Sequence, residues 1–270
     1  MTKSVFVESN DTVLLTCDAG VVWDELVTNV ANRGLWGLEN LAGIPGTVGA
    51  AAVQNIGAYG AVLSESVVAV RAYDTQQKQH VPFSREECTF GYRNSVFKRR
   101  PELIITEVSL RLQRNAVANT SYKDLLALVE KGLFLSDPSA VASAVRSVRA
   151  QKFPNIAEHG TAGSFFLNPV LGAQEATDMA ERFQGMPLFP MPEGGVKVPV
   201  AWILDHRHGV VDLRNVRIGG AYVWPKHALV IATDRGAQAA DVDMLATKIA
   251  QMVFNKTKIV LTREVRTLAY

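Results

Sequence analysis

Cysteine is scarce, with only Cys17 and Cys88 in the chain. The two make no CxxC pair and no disulfide framework, so they read as structural thiols in a reducing compartment. No apolar run is long enough to span a bilayer. The uncharged stretch from Asn40 to Ser64 fails as a span because Pro45, Gln54, Asn55 and its glycines interrupt it. The first residues, MTKSVFVESND, lack the apolar segment of a signal peptide. Charge of either sign is not in excess: 28 basic against 26 acidic residues leave +2, which gives no reason to expect a nucleic-acid partner. The run Lys98 to Arg100 is short, is followed by Pro101 and Glu102, and reads as a solvated turn. The expectation is a soluble cytoplasmic protein with neither a membrane nor a nucleic-acid partner.

What is present supports a substantial core, since 48% of the 270 residues are hydrophobic. Strands are expected at Thr12 to Cys17, Ser66 to Tyr73 and Leu103 to Leu112. In the last of these, Val108, Leu110 and Leu112 alternate with Glu107, Ser109 and Arg111. Val22, Leu26 and Val30 recur at helical spacing before Gly34. Asp137-Pro138 reads as an N-cap followed by proline at the first helical position, with Val141, Val145 and Val148 as the buried stripe. A helix from Ala173 to Phe183 and another following Asp241 complete the helical pattern, and a strand from Ile259 to Val265 closes the chain. Elements alternate irregularly and without repeat, which predicts two α+β domains. Their boundary is expected between Lys152 and Gly160.

Three stretches carry candidate chemistry. The first is IPGTVGAAAVQNIGAYG, Ile44 to Gly60. Pro45-Gly46 predicts a turn, and Gly49 to Ile56 predicts a helix whose free N–H groups and positive dipole end suit a phosphate. The small residues would let a flat heterocycle approach the backbone, with Gln54 and Asn55 bonding its edge. A tight helix–strand crossing explains the same glycines equally well. The stretch has neither a GxGxxG pattern nor a Walker lysine, so the familiar nucleotide loops are excluded. The second is FGYRNSVFK, Phe90 to Lys98, where Arg93 suits bidentate carboxylate binding. An ordinary structural arginine is the bland reading. The third is GTAGSFFLNP, Gly160 to Pro169. Ser164 follows three small residues and precedes two phenylalanines. It is not a GxSxG elbow and has no evident histidine partner, so a hydrolase triad is not indicated. Its hydroxyl could instead donate a proton to a carbanion, or merely cap a turn. Glu264 stands between Arg263 and Arg266 in LTREVR, where a paired carboxylate is the simpler reading. His206, Arg207 and His208 read as a solvated turn, and no metal site is expected.

In this order, LENLAGIPGTVGAAAVQNIGAYG, GYRNSVFK, AGSFFLNP and the terminal EVR resemble the UDP-N-acetylenolpyruvoylglucosamine reductase family in its longer, type I branch. The likeness runs from about Val13 to Arg266. It implies an α+β fold: the second half of a p-cresol methylhydroxylase-type FAD-binding domain, 1–153 with 258–270 returning to it, and a smaller α+β substrate-binding domain, 154–257. It implies FAD as cofactor, NADPH as hydride donor, and UDP-N-acetylglucosamine enolpyruvate as substrate, handled by a monomer in peptidoglycan precursor synthesis. Ser164 matches the family's proton donor, and Arg93 and Glu264 match the pair that steadies the substrate carboxylate and the enolate. Gly46, Gly49, Gln54, Asn55, Ile56, Gly57 and Tyr59 match the flavin-contacting segment. Tyr122, Lys152, Asn168 and His227 match positions that hold the UDP portion. Phe153, Asn155, Leu167 and His227 depart from the residues common at these places. The resemblance also leads one to expect a further FAD-binding segment before Thr12, with a glycine-serine-asparagine turn that this sequence does not contain. The alternative expectation is therefore a truncated, non-catalytic UDP-sugar binder.

Overall fold

A computed structural model describes residues 4–191 and 194–267 of the chain. It divides into two compact units, Met1–Arg149 and Ala150–Tyr270. Both mix helix and sheet, as the α+β expectation requires.

The first unit is built on a five-stranded antiparallel sheet ordered Ser4–Glu8, Thr12–Asp18, Leu103–Gln113, Val67–Asp74, Gln79–Ser84. Its centre is the long strand Leu103–Gln113. Leu103 and Ile105 are buried, and so are Val108, Leu110 and Leu112. The step from Ile105 to Val108 is odd, which would turn half the strand inside out at strict period two. The register resolves this: Glu107 pairs with Arg71 while Ile105 pairs with Ala72, so Thr106 is an extra, bulged residue. The bulge brings both apolar sets to one core.

Helix Trp23–Asn32 buries Trp23, Leu26, Val27, Val30 and Ala31 against that core, with Gly34 beyond its end in the left-handed region. Val22, expected to begin the buried stripe, is instead the 45% exposed N-cap. The helix Pro138–Lys152 begins as expected, with Asp137 Oδ1 accepting from the Ala140 amide at 2.9 Å and Val141, Val145 and Val148 buried. Arg146 on this helix grips Asp24 on the other, Nη2 to Oδ1 at 2.9 Å and Nε to Oδ2 at 3.0 Å. Asp24 Oδ1 also accepts from the Gly43 amide at 2.6 Å. Both cysteines are free and buried in this unit. Burial first, then neighbouring carboxylates, pushes the Cys17 and Cys88 thiols up to about 12.

The second unit carries a four-stranded sheet ordered Arg217–Ile218, Ala221–Val223, Val230–Thr233, Gly160–Ser164. A smaller sheet joins Phe189–Pro190, Val196–Lys197 and Val170–Leu171. The helix Ala239–Thr257 packs on the larger sheet and buries Leu245, Ala246, Ile249 and Val253. It starts two residues before Asp241, whose Oδ2 accepts from the amides of Gln238 and Gly220, both at 3.1 Å.

The end of the chain corrects two expectations. Residues 259–265 form no continuous strand. They are irregular, with Ile259 and Leu261 buried, Val260 exposed and a bend at Glu264-Val265, and contribute one isolated bridge, Phe166 to Arg263. Ile259 and Leu261 belong to the core of the second unit, not the first, because the amides of Leu167 and Glu264 bond the carbonyls of Thr262 and Phe165 at 2.9 Å each. The division between units falls at Arg149/Ala150, before the segment where the sequence placed it.

The grip of Arg146 on Asp24 is titratable. Burial pushes the Asp24 carboxyl up, but the Arg146 hydrogen bonds and the Gly43 amide outweigh it and hold its pKa below the ordinary 3.8. A carboxyl held low stabilises the fold above its unfolded pKa, and that contribution disappears as pH falls through the depressed value. Asp24→Asn should therefore cost about 1 kcal/mol or less at pH 7, the pair being partly exposed, and nothing at low pH. Urea unfolding of both proteins from pH 7 down to pH 2 checks this; a stability gap that persists at the acid end contradicts it.

Candidate functional site

In the first unit the uncharged stretch folds as turn, short helix and hairpin. Gly46 is exposed in the left-handed half of backbone space (φ +113°), and its carbonyl accepts from the Trp23 amide at 3.0 Å. Thr47 caps the helix Val48–Gln54. The free amides expected at this helix start are all engaged. Val48 and Gly49 donate to the carbonyls of Val21 and Ala19, Ala50 to the Thr47 hydroxyl, and Ala51 to the Thr47 carbonyl. The helix start is thus no phosphate site. Gly49 is required by packing instead, since a Cβ there would lie 2.8 Å from that of Ala19.

The helix ends on Asn55, a non-glycine residue at φ 45°. Its side chain is turned into the fold. It is 2% exposed, donates from Nδ2 to the Gly91 carbonyl at 2.9 Å and accepts at Oδ1 from the Ser64 amide at 3.0 Å. Ile56 is buried beside it, and the Gln54 Oε1 accepts from Lys98 Nζ at 2.8 Å. Beyond them Gly57–Ala58 and Ala61–Val62 pair as a hairpin closed by Tyr59-Gly60, both with positive φ, the mirror-type turn that hairpins favour. Asn40 and Asn119 donate to the two turn carbonyls at 2.7 and 3.0 Å. Tyr59 is buried, its phenol pushed up to about 12 by burial, and its ring meets Tyr122 edge-on at 5.1 Å. Tyr122 itself is 39% exposed at the start of the helix Lys123–Glu130, so it stands on the hairpin with a face to solvent.

Arg93 is half-buried, at φ 51°, on the turn that follows Gly91. Its guanidinium lies against the helix-to-hairpin turn: Nη2 donates to the Gly57 carbonyl and Nη1 to the Asn55 carbonyl. A Cβ on Gly57 would fall 2.6 Å from Arg93 Nη1, so only glycine admits the cation there. The structure therefore gathers Arg93, Asn55, Gly57, Gln54 and Lys98 in one place. Val48, Ile56 and Leu63 of the same stretch are buried in the core of this unit.

In the second unit Ser164 ends the strand Gly160–Ser164 and is half-buried. Val230 pairs with Ser164 but Ala232 pairs with Thr161, so the strand carries a bulge at Ala162-Gly163. Gly163 sits at φ +76° and its amide donates to Thr161 Oγ1 at 3.1 Å. The bulge re-aims the serine relative to the strand before it. Beneath follow Phe165 and Phe166, both buried and edge-to-face at 5.3 Å. Glu264 is bonded through its amide to Phe165, so Ser164 and Glu264 stand on adjoining chains. Arg263 fixes that closing chain by pairing with Asp243 of the long helix.

Lys152 ends its helix half-buried, and the ring of the next residue, Phe153, lies 5.3 Å from that of His227. His227 Nδ1 accepts from the Leu229 amide at 3.3 Å, two residues along the segment that leads to Val230. Asn168 Oδ1 accepts from the Val200 amide at 2.9 Å. Ser164 thus faces Val230, His227 stands on the segment that leads to Val230 with the Phe153 ring against it, and Glu264 lies on the segment bonded to Phe165. Sequence reasoning missed one cluster here: His159 Nδ1 shares a hydrogen bond of 2.9 Å with the Tyr222 hydroxyl, and Trp224 lies 5.3 Å from the same imidazole. Tyr222 and Trp224, two residues apart in the sequence, were its only signal. Among the described residues no group of His, Cys, Asp and Glu is placed to hold a metal, and no helix is long and apolar enough to cross a membrane.

Comparison with known proteins covers both units. Residues 1–80 match the family model of an FAD binding domain, and residues 155–268 match that of the UDP-N-acetylenolpyruvoylglucosamine reductase C-terminal domain. The chain is 38% identical over 260 residues to the UDP-N-acetylenolpyruvoylglucosamine reductase of Neisseria meningitidis serogroup C, covering 95% of this chain and 74% of that one. It is 40% identical over 245 residues to the reductase of the same name from Cupriavidus pinatubonensis, covering 90% and 71%. The crystal structure of UDP-N-acetylenolpyruvylglucosamine reductase from Thermus caldophilus shares the fold, with a TM-score of 0.60 at 24% identity over 92% of this chain and 70% of that chain.

The bulge before Ser164 yields a clean test. A Cβ on Gly163 would meet nothing within 4 Å, so Gly163→Ala should cost only the left-handed backbone penalty, about 1–2 kcal/mol. Denaturant unfolding should report that loss; an unchanged midpoint would contradict the bulge geometry.

Proposed function

Because the chain belongs to the UDP-N-acetylenolpyruvoylglucosamine reductase family, we propose that it catalyses the NADPH-dependent reduction of UDP-N-acetylglucosamine enolpyruvate to UDP-N-acetylmuramate, with FAD as cofactor. The first unit is the FAD-binding part and the second the substrate-binding part. The observation that carries this reading is Arg93, a cation locked by Asn55 and Gly57 onto the glycine-rich turn of the unit that matches the FAD-binding model.

FAD, when bound, would supply the hydride chemistry that links NADPH to C3 of the enolpyruvyl group. Gly46, Gly57 and the hairpin would hold it by backbone. Arg93 pairs with the substrate carboxylate and neutralises the negative charge that grows as C3 gains hydride. Its fork geometry makes two parallel hydrogen bonds to a carboxylate, which a lysine cannot. Ser164 Oγ gives its proton to C2, and the alkoxide is reprotonated from solvent. The buried floor of Phe165 and Phe166 keeps bulk water from one side of that hydroxyl. Glu264 steadies the enolate end of the substrate. Lys152 supplies a point charge to the diphosphate, and Tyr122, Asn168 and His227 hold the uridine nucleotide. Burial, then Asp124, raises the Tyr122 phenol above its ordinary value, so it stays neutral and can donate.

The test is a visible spectrum of the purified chain with added FAD. A bound-flavin spectrum, bleached by NADPH and restored by the enolpyruvyl substrate, is expected. Absence of bound flavin with retained UDP-sugar binding would overturn the catalytic reading in favour of a non-catalytic binder. In Ser164→Ala the bleaching should proceed at the normal rate while the return of colour slows by about 10²–10⁴-fold, the usual worth of a general acid. Equal slowing of both half-reactions would remove Ser164 from its role.

A further inference from the structure

Arg93 is held by more than its own side chain. As a non-glycine residue at φ 51° it holds a costly backbone conformation, which persists only where neighbours fix it. One neighbour does so from two directions. Lys98 Nζ donates to the Arg93 carbonyl at 2.9 Å and to Gln54 Oε1 at 2.8 Å. The first bond fixes the backbone from which the guanidinium springs. The second fixes the last residue of the helix Val48–Gln54, which leads directly into Asn55 and Gly57, the two residues whose carbonyls receive the guanidinium. A single ammonium therefore sets both the root of Arg93 and the surface on which its tip lies. Lys98 is itself seated by Ser95, a fully buried residue whose hydroxyl donates to the Val53 carbonyl at 2.7 Å, ahead of the short helix Val96–Arg99. Charge alone does not explain the arrangement, since a second cation beside a guanidinium repels it; three donors on a long stem do.

We propose that Lys98 is the positioning residue for Arg93, acting through the Arg93 carbonyl and Gln54, and that without it the guanidinium loses its alignment toward the substrate carboxylate. This rests on the proposed role of Arg93. The experiment is a double-mutant cycle on the FAD-loaded full chain: wild type, Lys98→Met, Arg93→Ala and the double variant, each with thermal unfolding, the rate of flavin bleaching by NADPH, and kcat and KM for the enolpyruvyl substrate. Methionine keeps the apolar stem and removes the donors. Lys98→Met should lower kcat/KM about 10- to 100-fold, the scale of an ångström-sized misplacement, and by more than it slows bleaching by NADPH. In the Arg93→Ala background the same change should cost nothing further. A kcat/KM within twofold of wild type, or the same fold loss in both backgrounds, would overturn the proposal by making Lys98 an ordinary fastening of the turn. Near-normal activity of Arg93→Ala would instead overturn the reading of Arg93. Should the methionine variant lose its thermal transition, Lys98→Gln, which keeps one donor site, carries the same cycle.

Discussion

The side chain of Asn55 closes two turns at once, donating an amide hydrogen to the Gly91 carbonyl and accepting at its oxygen from the Ser64 amide. Around it lies a stretch without a charged residue, from Asn40 to Ser64. A polypeptide that must bend there satisfies its buried polar atoms mainly with peptide groups, uncharged side chains and the guanidinium of Arg93. Asn55 meets that need in the left-handed conformation that asparagine tolerates better than most residues. The helix end, the hairpin and the seat of Arg93 all follow from that bond pair. Asn40 and Asn119 repeat the device on the hairpin turn.

A second constraint acts in both sheets. The central strand of the first unit and the serine-bearing strand of the second each take up one or more extra residues, at Thr106 and at Ala162-Gly163. In the first case the bulge serves burial, turning two apolar sets of opposite phase to one side. In the second it serves presentation, because the residue that follows is Ser164. The same backbone defect thus builds a core in one place and aims a side chain in another.

Much of this was legible in the sequence. The strands Thr12–Asp18, Val67–Asp74 and Leu103–Gln113, and the helices beginning near Trp23, Pro138, Ala173 and Ala239, appear where periodicity and caps put them. The family and its motifs were legible as well, because short stretches in fixed order are specific as a set. What was not legible depends on contacts between distant residues. Gly49 looked like a ligand glycine because spacing cannot show that Ala19 lies against it. The helix start looked open because sequence cannot show that Val21 and Ala19 occupy its amides. The closing segment read as a strand that would rejoin the first half, because alternation reveals which residues are buried but not against what. Lys98 read as part of a solvated turn, yet it is half-buried on the helix Val96–Arg99 with two acceptors, which the charge run alone could not reveal.

The two thiols have a consequence of a different kind. Both are in the first core, neither is in the second, and burial keeps each protonated far above neutral pH. Nucleophilic attack on an alkylating reagent requires the thiolate, so in the folded state these sulfurs are silent. Each becomes reactive only when the first unit opens around it. The chain therefore contains its own clock for the opening of one half of the molecule, and the rate at which a reagent consumes its thiols keeps time for that half alone.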